Sequence, residues 1–362
     1  MAICVEFPNF KPMNQQELYM QRCLDLAVLG AGTTSPNPMV GSVIVHGDTI
    51  IGEGYTSPYG GPHAEVNAIQ QVIARFGEAE AERLFPESTI YVSLEPCAHF
   101  GKTPPCADLI VSKGFRKAVI ACLDPFAKVN GLGLKKLQDA GIATEVGVLE
   151  EEAKWLNRRF FTKLKEFRPY VILKWAETTD GFFAPSDAQQ RWISNGASKQ
   201  LVHKWRAEED AILVGAATAA IDAPSLTVRE WEGKNPIRVV IDKDLTLDLD
   251  TPLFDASAET IIFNAIRTDW QGHLKFIALE NFEMYLPQQI LYQLYLMDVQ
   301  SLIIEGGKKT LDLFIKAGLW DEARIFVGDM EWGDGVPSPR ITGKLLQQTA
   351  VGSDKLRILS RV

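Results

Sequence analysis

The sequence predicts two α/β domains in one chain. Three observations carry this. The length of 362 residues exceeds that of an ordinary single domain. Compact apolar runs alternate with segments of helical spacing along most of the chain. A charged helical stretch at 150–165 is cut by Pro169 before the alternation begins again. Hydrophobic residues make up 46% of the chain and charged residues 23%, so each half has the means to bury its own core.

The elements follow in order. Leu18, Cys23, Leu24, Ala27 and Val28 stand at helical spacing and predict a helix over 17–29. A turn-rich segment, 30–38, comes next. Runs at 40–45 and 49–54 read as a hairpin with His46-Gly47-Asp48 at its turn. Residues 62–75 predict a helix with Pro62 near its first turn. A strand over 89–94, a helix over 106–113, a strand over 117–122 and a helix over 133–140 complete the first alternation, and 150–165 reads as one charged helix. The boundary is placed near Phe167, giving domains 1–166 and 167–362. The second domain is read as strand 170–175, helix 198–208, strands 211–214, 237–241, 260–263 and 301–305, helix 310–317 and strand 323–327.

The formal net charge is -9 and the sequence pI about 5.2. That balance disfavours nucleic acid, whose binding draws on many Lys and Arg contacts to phosphate. It leaves room for one small phosphorylated molecule, which needs only a few local basic groups. The N-terminal residues lack a basic region followed by an apolar one, and no run approaches the apolar length of a membrane span. A cytoplasmic protein is expected, with neither membrane nor nucleic acid as partner. The five cysteines, Cys4, Cys23, Cys97, Cys106 and Cys122, are odd in number and lack disulfide-framework spacing. Metal or free thiol is then the expected use. Cys23 and Cys122 sit in apolar patterns and read as core.

The chemistry-bearing pattern is His63-Ala64-Glu65, then Pro96-Cys97, then Cys106. One imidazole and two thiolates suit Zn²⁺, and three protein ligands leave a fourth position open for a water. A structural zinc site would want a fourth protein ligand, and none stands at an obvious spacing. Glu65, two residues from the histidine, is suited to take a proton from that water and deliver it to a ring nitrogen and a leaving amine. The pattern resembles the zinc-deaminase signature, except that eight residues rather than two separate the cysteines. Within that long interval His99 and Lys102 suit an anionic group beside the metal.

Pro36-Asn37-Pro38-Met39-Val40-Gly41, His63-Ala64-Glu65 and the run from Leu94 to Cys106 together resemble the bifunctional deaminase/reductase of riboflavin biosynthesis, in order and spacing. The resemblance implies a cytidine-deaminase-like α/β/α first domain. It implies that His63, Cys97 and Cys106 bind zinc and that Glu65 moves protons. It also implies that Asn37 contacts the pyrimidine edge and that His99 and Lys102 hold a phosphoribosyl end. By residue type alone, Asn37 between prolines is equally a turn residue, and Lys102 equally a solvated loop lysine.

The second half carries neither a G-x-G-x-x-G fingerprint nor a Walker A motif. Glu305-Gly306-Gly307 follows an apolar strand and lets backbone amides approach a phosphate, or is simply a turn. The resemblance extends here through Lys174 to Asp180-Gly181, Trp192-Ile193-Ser194, Arg206-Ala207, Ala217-Thr218, 225–229, 238–242 and Glu305-Gly306-Gly307. It implies a dihydrofolate-reductase-like fold and hydride transfer from NADPH to a ribosyl carbon. Arg206, Leu226, Arg229 and Glu305 would then contact substrate, and Ala176, Trp192, Thr218, Asp222 and Gly307 the cofactor. As residues, Arg206 and Arg229 suit a phosphate clamp or ordinary salt bridges, and Trp192 suits ring stacking or core filling. The sequence departs from the family at Ala223, at Lys243 and over 329–339. The implied whole is a bifunctional enzyme using Zn²⁺ and NADPH on a phosphoribosylated pyrimidine, assembled as a homo-oligomer. The alternative is an active deaminase whose second domain is impaired or only a scaffold.

Overall fold

The structure is a computed structural model that describes residues 12–98, 104–126, 130–186 and 191–361. The chain forms two compact units, one ending at Glu166 and the other running from Phe167 to the C-terminus.

The first unit contains α1 (Gln15–Val28), β1 (Gly41–His46), β2 (Thr49–Tyr55), α2 (Ala64–Phe76), α3 (Glu78–Leu84), β3 (Ser88–Val92), α4 (Cys106–Lys113), β4 (Lys117–Ile120), α5 (Leu132–Asp139), β5 (Ala143–Val146), α6 (Glu150–Leu156) and α7 (Arg158–Glu166). Its sheet has the order β2-β1-β3-β4-β5, with β1 antiparallel to β2 and β3, and β3, β4 and β5 parallel. Helix α1 starts at a capping box: the Asn14 side chain accepts from Glu17 N, and the Glu17 carboxylate accepts from Asn14 N.

Two glycines let helices lie directly on this sheet. A Cβ on Gly41 would come within 1.9 Å of Cys23 O in α1, and one on Gly54 within 2.4 Å of Ala64 O in α2. Gly41 and Ser42 are successive residues of β1, and Ser42 pairs with Gly54. Side-chain directions alternate along a strand, so α1 and α2 cover opposite faces. Helix α2 touches α4, and α4 touches α5, making one row on the second face. The layers are α/β/α, the cytidine-deaminase-like arrangement expected.

The single helix expected at 150–165 is two. Asn157 breaks it, with φ -96° and ψ 21°. Its buried side chain accepts from Met39 N at 2.9 Å and donates to Met39 O at 2.8 Å. A break aimed at a residue so distant in sequence leaves no mark in helical periodicity.

The second unit contains β6 (Tyr170–Glu177), β7 (Phe182–Ala184), α8 (Gly196–Glu208), β8 (Ala211–Gly215), α9 (Ala216–Asp222), β9 (Ile237–Ile241), β10 (Thr260–Asn264), β11 (Asp269–Gln271), β12 (Leu274–Ala278), α10 (Leu286–Leu296), β13 (Ser301–Ile304), α11 (Lys308–Lys316), β14 (Glu322–Val327), β15 (Val336–Pro337), β16 (Lys344–Val351) and β17 (Asp354–Ser360). Ten strands form one sheet in the order β11-β12-β10-β9-β8-β13-β6-β14-β17-β16, parallel from β12 through β14. β7 and β15 pair apart from it.

Both faces of β6 are buried. Val171, Leu173 and Trp175 join one core with α10 and α11, while Tyr170 and Ile172 join the other with α8. Burial on both faces is why the parallel strands read as unbroken apolar runs. Within the family-like run 238–242, Arg238 is fully buried and donates to Thr260 Oγ1, Pro252 O and Asp255 Oδ1. Asp242 accepts from Thr246 N and Leu247 N. Both ends of that run therefore hold the fold.

Candidate functional site

The residues singled out in the first unit lie on loops that leave one end of the sheet. β1 enters where β3 exits: Ser93 N donates to Gly41 O at 3.0 Å, and Gly41 N donates to Ser93 Oγ at 3.0 Å. The exit of β2, at Tyr55, stands opposite Gly41. The turn holding Asn37, the segment leading to His63 and the Leu94–Cys97 segment thus all start from this edge. Binding sites of layered α/β folds form where strands end and loops converge.

His63 is the N-cap of α2, with Glu65 in its first turn, and Cys106 is the first residue of α4. Two helix N-termini, each with unsatisfied amides and a partial positive charge, therefore meet at the cluster. Cys106 N donates to Cys97 Sγ at 3.3 Å, and Ala107 N to Cys97 O at 3.1 Å. His63 Nδ1 lies 3.3 Å from Cys106 Sγ and 3.7 Å from Cys97 Sγ. Zn–S and Zn–N bonds of about 2.3 and 2.0 Å at tetrahedral angles put donor atoms roughly 3.5–3.8 Å apart. The three donors lie within 4.8 Å of one another, close enough to share one zinc ion, and among the described residues this is the one such group of three His, Cys, Asp or Glu.

The protons of the cluster are tightly shared. The hydrogen bond with Cys106, and then that with His63, pulls the Cys97 thiol down to about 4 despite its burial. The Cys106 thiol is pushed up, first by that same bond to Cys97 and then by burial. His63 is raised by its bond to Cys97. Glu65 is buried, and that burial, with the Cys97 thiolate beside it, pushes it up to about 7. A thiolate stabilised by helix amides, with an imidazole and a second thiol in contact, is a donor set ready to exchange protons for a metal.

Asn37 sits in a turn, its N–H donating to Thr34 O at 2.9 Å. Two residues on, Met39 is held by Asn157. His99 and Lys102 lie outside the described residues. Cys23 and Cys122 are fully buried in the core.

The second constellation stands where the parallel neighbours β8 and β13 end. Glu305 N donates to Leu213 O at 3.1 Å, and Gly307 N donates to Thr218 Oγ1 at 2.7 Å. A Cβ on Gly306 would lie 2.5 Å from Val214 Cα, so glycine is what lets the two strand ends approach. Arg206, near the end of α8, pairs with Glu305 (Nη2–Oε2 2.8 Å) and donates to Thr227 O at 3.4 Å. Lys174 follows Leu173, which pairs with Ile304, so it is level with Glu305 across β6 and β13. Burial lowers the Lys174 ammonium, and Glu305 opposes that shift. Glu305 resists its own burial and is held down at about 2 by Arg206 and Lys174. Arg229 donates to the hydroxyls of Ser225 and Thr227, and its backbone N–H donates to His203 Nδ1 at 3.2 Å.

The structure thus brings Arg206, Arg229 and Glu305 to α8 and the 225–229 loop. Leu226, at φ 52°, puts its side chain in the core, so any contact it makes with substrate falls to its backbone. Trp192 is 65% exposed with Lys199 Nζ over its ring, which removes the core-filling reading. Thr218 and Gly307 touch, Asp222 is exposed at the end of α9, and Ala176 lies half-buried on β6. Lys243 pairs with Glu283 at 2.5 Å, and Ala223 is the left-handed C-cap of α9.

Residues that the sequence did not single out support both places. Buried Glu95 braces the Cys97 loop, Asn157 the Asn37 turn, and His203 the Arg229 loop. Their signal is long-range hydrogen bonding, which no local spacing encodes.

Residues 13–122 match the cytidine and deoxycytidylate deaminase zinc-binding region, and 169–358 match the RibD C-terminal domain. The chain is 39% identical over 325 residues to the riboflavin biosynthesis protein RibD of Aquifex aeolicus, covering 88% of each. It is 36% identical over 341 residues to RibD of Bacillus amyloliquefaciens, covering 92% of this chain and 89% of the relative. Among solved structures it is similar to the diaminohydroxyphosphoribosylaminopyrimidine deaminase/5-amino-6-(5-phosphoribosylamino)uracil reductase of Thermotoga maritima. That match has a TM-score of 0.87 and 34% identity, covering 96% of this chain and 99% of the other.

Proposed function

The chain belongs to the RibD family, the bifunctional deaminase/reductases of riboflavin biosynthesis, and from that membership we propose which of its residues do the work. It deaminates 2,5-diamino-6-(5-phosphoribosylamino)pyrimidin-4-one and then reduces the ribosyl group of 5-amino-6-(5-phosphoribosylamino)uracil to ribityl, with zinc serving the first reaction and NADPH the second. We assign the first reaction to residues 1–166 and the second to residues 167–362.

His63, Cys97 and Cys106 hold the zinc in this proposal. The observation that carries it is the convergence of the three donors, all within 4.8 Å of one another, beside buried Glu65. Zinc, when bound, supplies the Lewis acidity that makes a water nucleophilic near neutral pH. Glu65 would take one proton from the attacking water and give it to the ring nitrogen, and would then pass the added hydroxyl's remaining proton to the amine. Oxygen adds at the carbon bearing the amino group, the C–N bond breaks, and ammonia leaves. A buried carboxyl raised above its ordinary value is suited to both proton acceptance and proton return. Asn37 holds the pyrimidine edge, and His99 and Lys102 the phosphoribosyl end.

In the second half Arg206 and Arg229 bind the substrate's phosphate side, with Glu305 orienting Arg206 and the backbone of Leu226 lining the same loop. Ala176, Trp192, Thr218, Asp222 and Gly307 line the cofactor site. NADPH, when bound, supplies the hydride. The protein works as a cytoplasmic homo-oligomer without nucleic-acid or membrane partners. Among the described residues no helix is long and apolar enough to cross a membrane.

The test is incubation of the full chain with the diaminopyrimidinone phosphoribosylamine, with and without NADPH. Ammonia release without NADPH, then NADPH oxidation once it is added, is the expected result. Ammonia release with no NADPH oxidation would overturn the residue roles proposed for the second half.

A further inference from the structure

We infer that Glu95 is a positioning residue of the metal centre: by capping α5 it fixes where Cys97 stands relative to His63 and Cys106. The inference rests on reading those three residues as the zinc ligands.

Glu95 is buried, two residues before Cys97. Its backbone N–H donates to Cys122 O at 2.9 Å, continuing the pairing of β3 with β4 beyond the last strand residue. Its carboxylate is filled by main-chain donors. Oε1 accepts from Leu134 N at 3.1 Å, and Oε2 accepts from Gly131 N at 3.0 Å and Asp124 N at 3.2 Å. Gly131 is the N-cap of α5 and has no side chain with which to cap it. Glu95 therefore serves as the cap from another segment, satisfying the first amides of the helix and meeting its positive end with a charge.

The docking is close as well as charged. A Cβ on Gly133 would lie 2.0 Å from Pro96 O and 3.3 Å from Glu95 Cγ. The first turn of α5 thus lies directly against the residue between Glu95 and Cys97. Cys97 is held from the other side by the amides of Cys106 and Ala107 at the start of α4. The loop bearing this ligand is consequently fastened to two helix N-termini, one through Cys97 itself and one through Glu95.

The chemistry demands a carboxylate. Both of its oxygens face N–H donors, so a glutamine, whichever way its amide turns, points an NH₂ at a donor. An aspartate keeps both acceptors but is one methylene short of them. Groups behind metal ligands typically change metal affinity by about 10–100-fold when altered.

The experiment uses the full chain loaded with Zn²⁺ or Co²⁺. Zinc affinity is read by competition with a chromogenic chelator, and the geometry at the thiolates by the Co²⁺ ligand-field and thiolate charge-transfer bands. Glu95→Gln should weaken Zn²⁺ by about 10–100-fold and shift the Co²⁺ bands, and Glu95→Asp should do both to a smaller extent. A Glu95→Gln protein that melts earlier but keeps wild-type affinity and spectrum would show a carboxylate that only stabilises the fold, and would overturn the inference. If Glu95→Gln does not fold, Glu95→Asp decides, since wild-type affinity and spectrum there overturn it equally. A wild-type chain that binds neither metal would instead overturn the ligand reading of His63, Cys97 and Cys106.

Discussion

Replacing Glu305 by glutamine changes charge with almost no change in shape, at a point where the structure allows the cost to be worked out. The carboxylate pairs with Arg206 at 2.8 Å, and both side chains are 11% exposed. Burial alone would raise Glu305, yet Arg206 and Lys174 bring it from an ordinary 4.5 down to about 2. A depression of that size corresponds to roughly 3 kcal/mol at about 1.4 kcal/mol per unit. That falls within the roughly 3–5 kcal/mol expected when one partner of a buried pair is removed. Arg206 would lose its partner, and Lys174 the charge opposing its burial. At about 2–4 °C per kcal/mol for a unit of this size, the melting transition should fall by roughly 6–12 °C at pH 7. The sign with pH is fixed by the depressed value. The stabilisation is full above 4.5 and is lost as pH falls toward 2, so the gap between wild type and Glu305→Gln should shrink to roughly half or less at pH 3. Seven of the eight tryptophans lie beyond residue 167, so tryptophan fluorescence melting of the full chain reports this unit. A variant that melts with wild type at pH 7, or a gap that does not narrow at pH 3, would refute the reasoning.

Other outcomes follow from the same geometry. Glu65→Gln should cut deamination by about 10²–10⁴-fold while zinc content and NADPH-dependent reduction stay unchanged; full deaminase activity with full zinc would remove Glu65 from its role. Cys106→Ala leaves two of the three donors, so metal analysis should find bound zinc well below one equivalent and ammonia release lost, and retention of a full equivalent would disprove the ligand set. Gly54→Ala places a methyl 2.4 Å from Ala64 O and forces α2 off the sheet, at about 1–3 kcal/mol. Because His63 caps that helix, urea unfolding of the first unit should shift to lower concentration and zinc affinity should fall with it. Trp192→Phe should remove much of the tryptophan quenching caused by NADPH, and undiminished quenching would take Trp192 out of the cofactor site.

Much of this protein is legible in local patterns. Apolar runs marked the central strands because parallel strands are buried on both faces. The His63-Ala64-Glu65 and Pro96-Cys97 signals were legible because metal chemistry restricts residue type and spacing together. Other elements were not. Helix α10 lacks a polar face sharp enough to stand out, and β16 and β17 form a half-exposed antiparallel pair at the sheet edge. The family-like run 238–242 gave no sign in one dimension of what its polar ends do, whereas in the fold Arg238 and Asp242 hold loops.

Sequence alone determined the two-domain α/β plan and a resemblance specific enough to name both reactions, and it singled out His63, Cys97, Cys106 and Glu65 as candidates. These depend on residue type and short spacing, which are visible in one dimension. Only the tertiary structure decided that α2 and α4 point their first turns at one place, that Glu95 caps a helix begun thirty-odd residues later, and that Asn157 grips the Met39 backbone. It also put Trp192 at the surface and Leu226 in the core. Each of these depends on which distant backbone groups come into contact, and close packing of whole elements sets that.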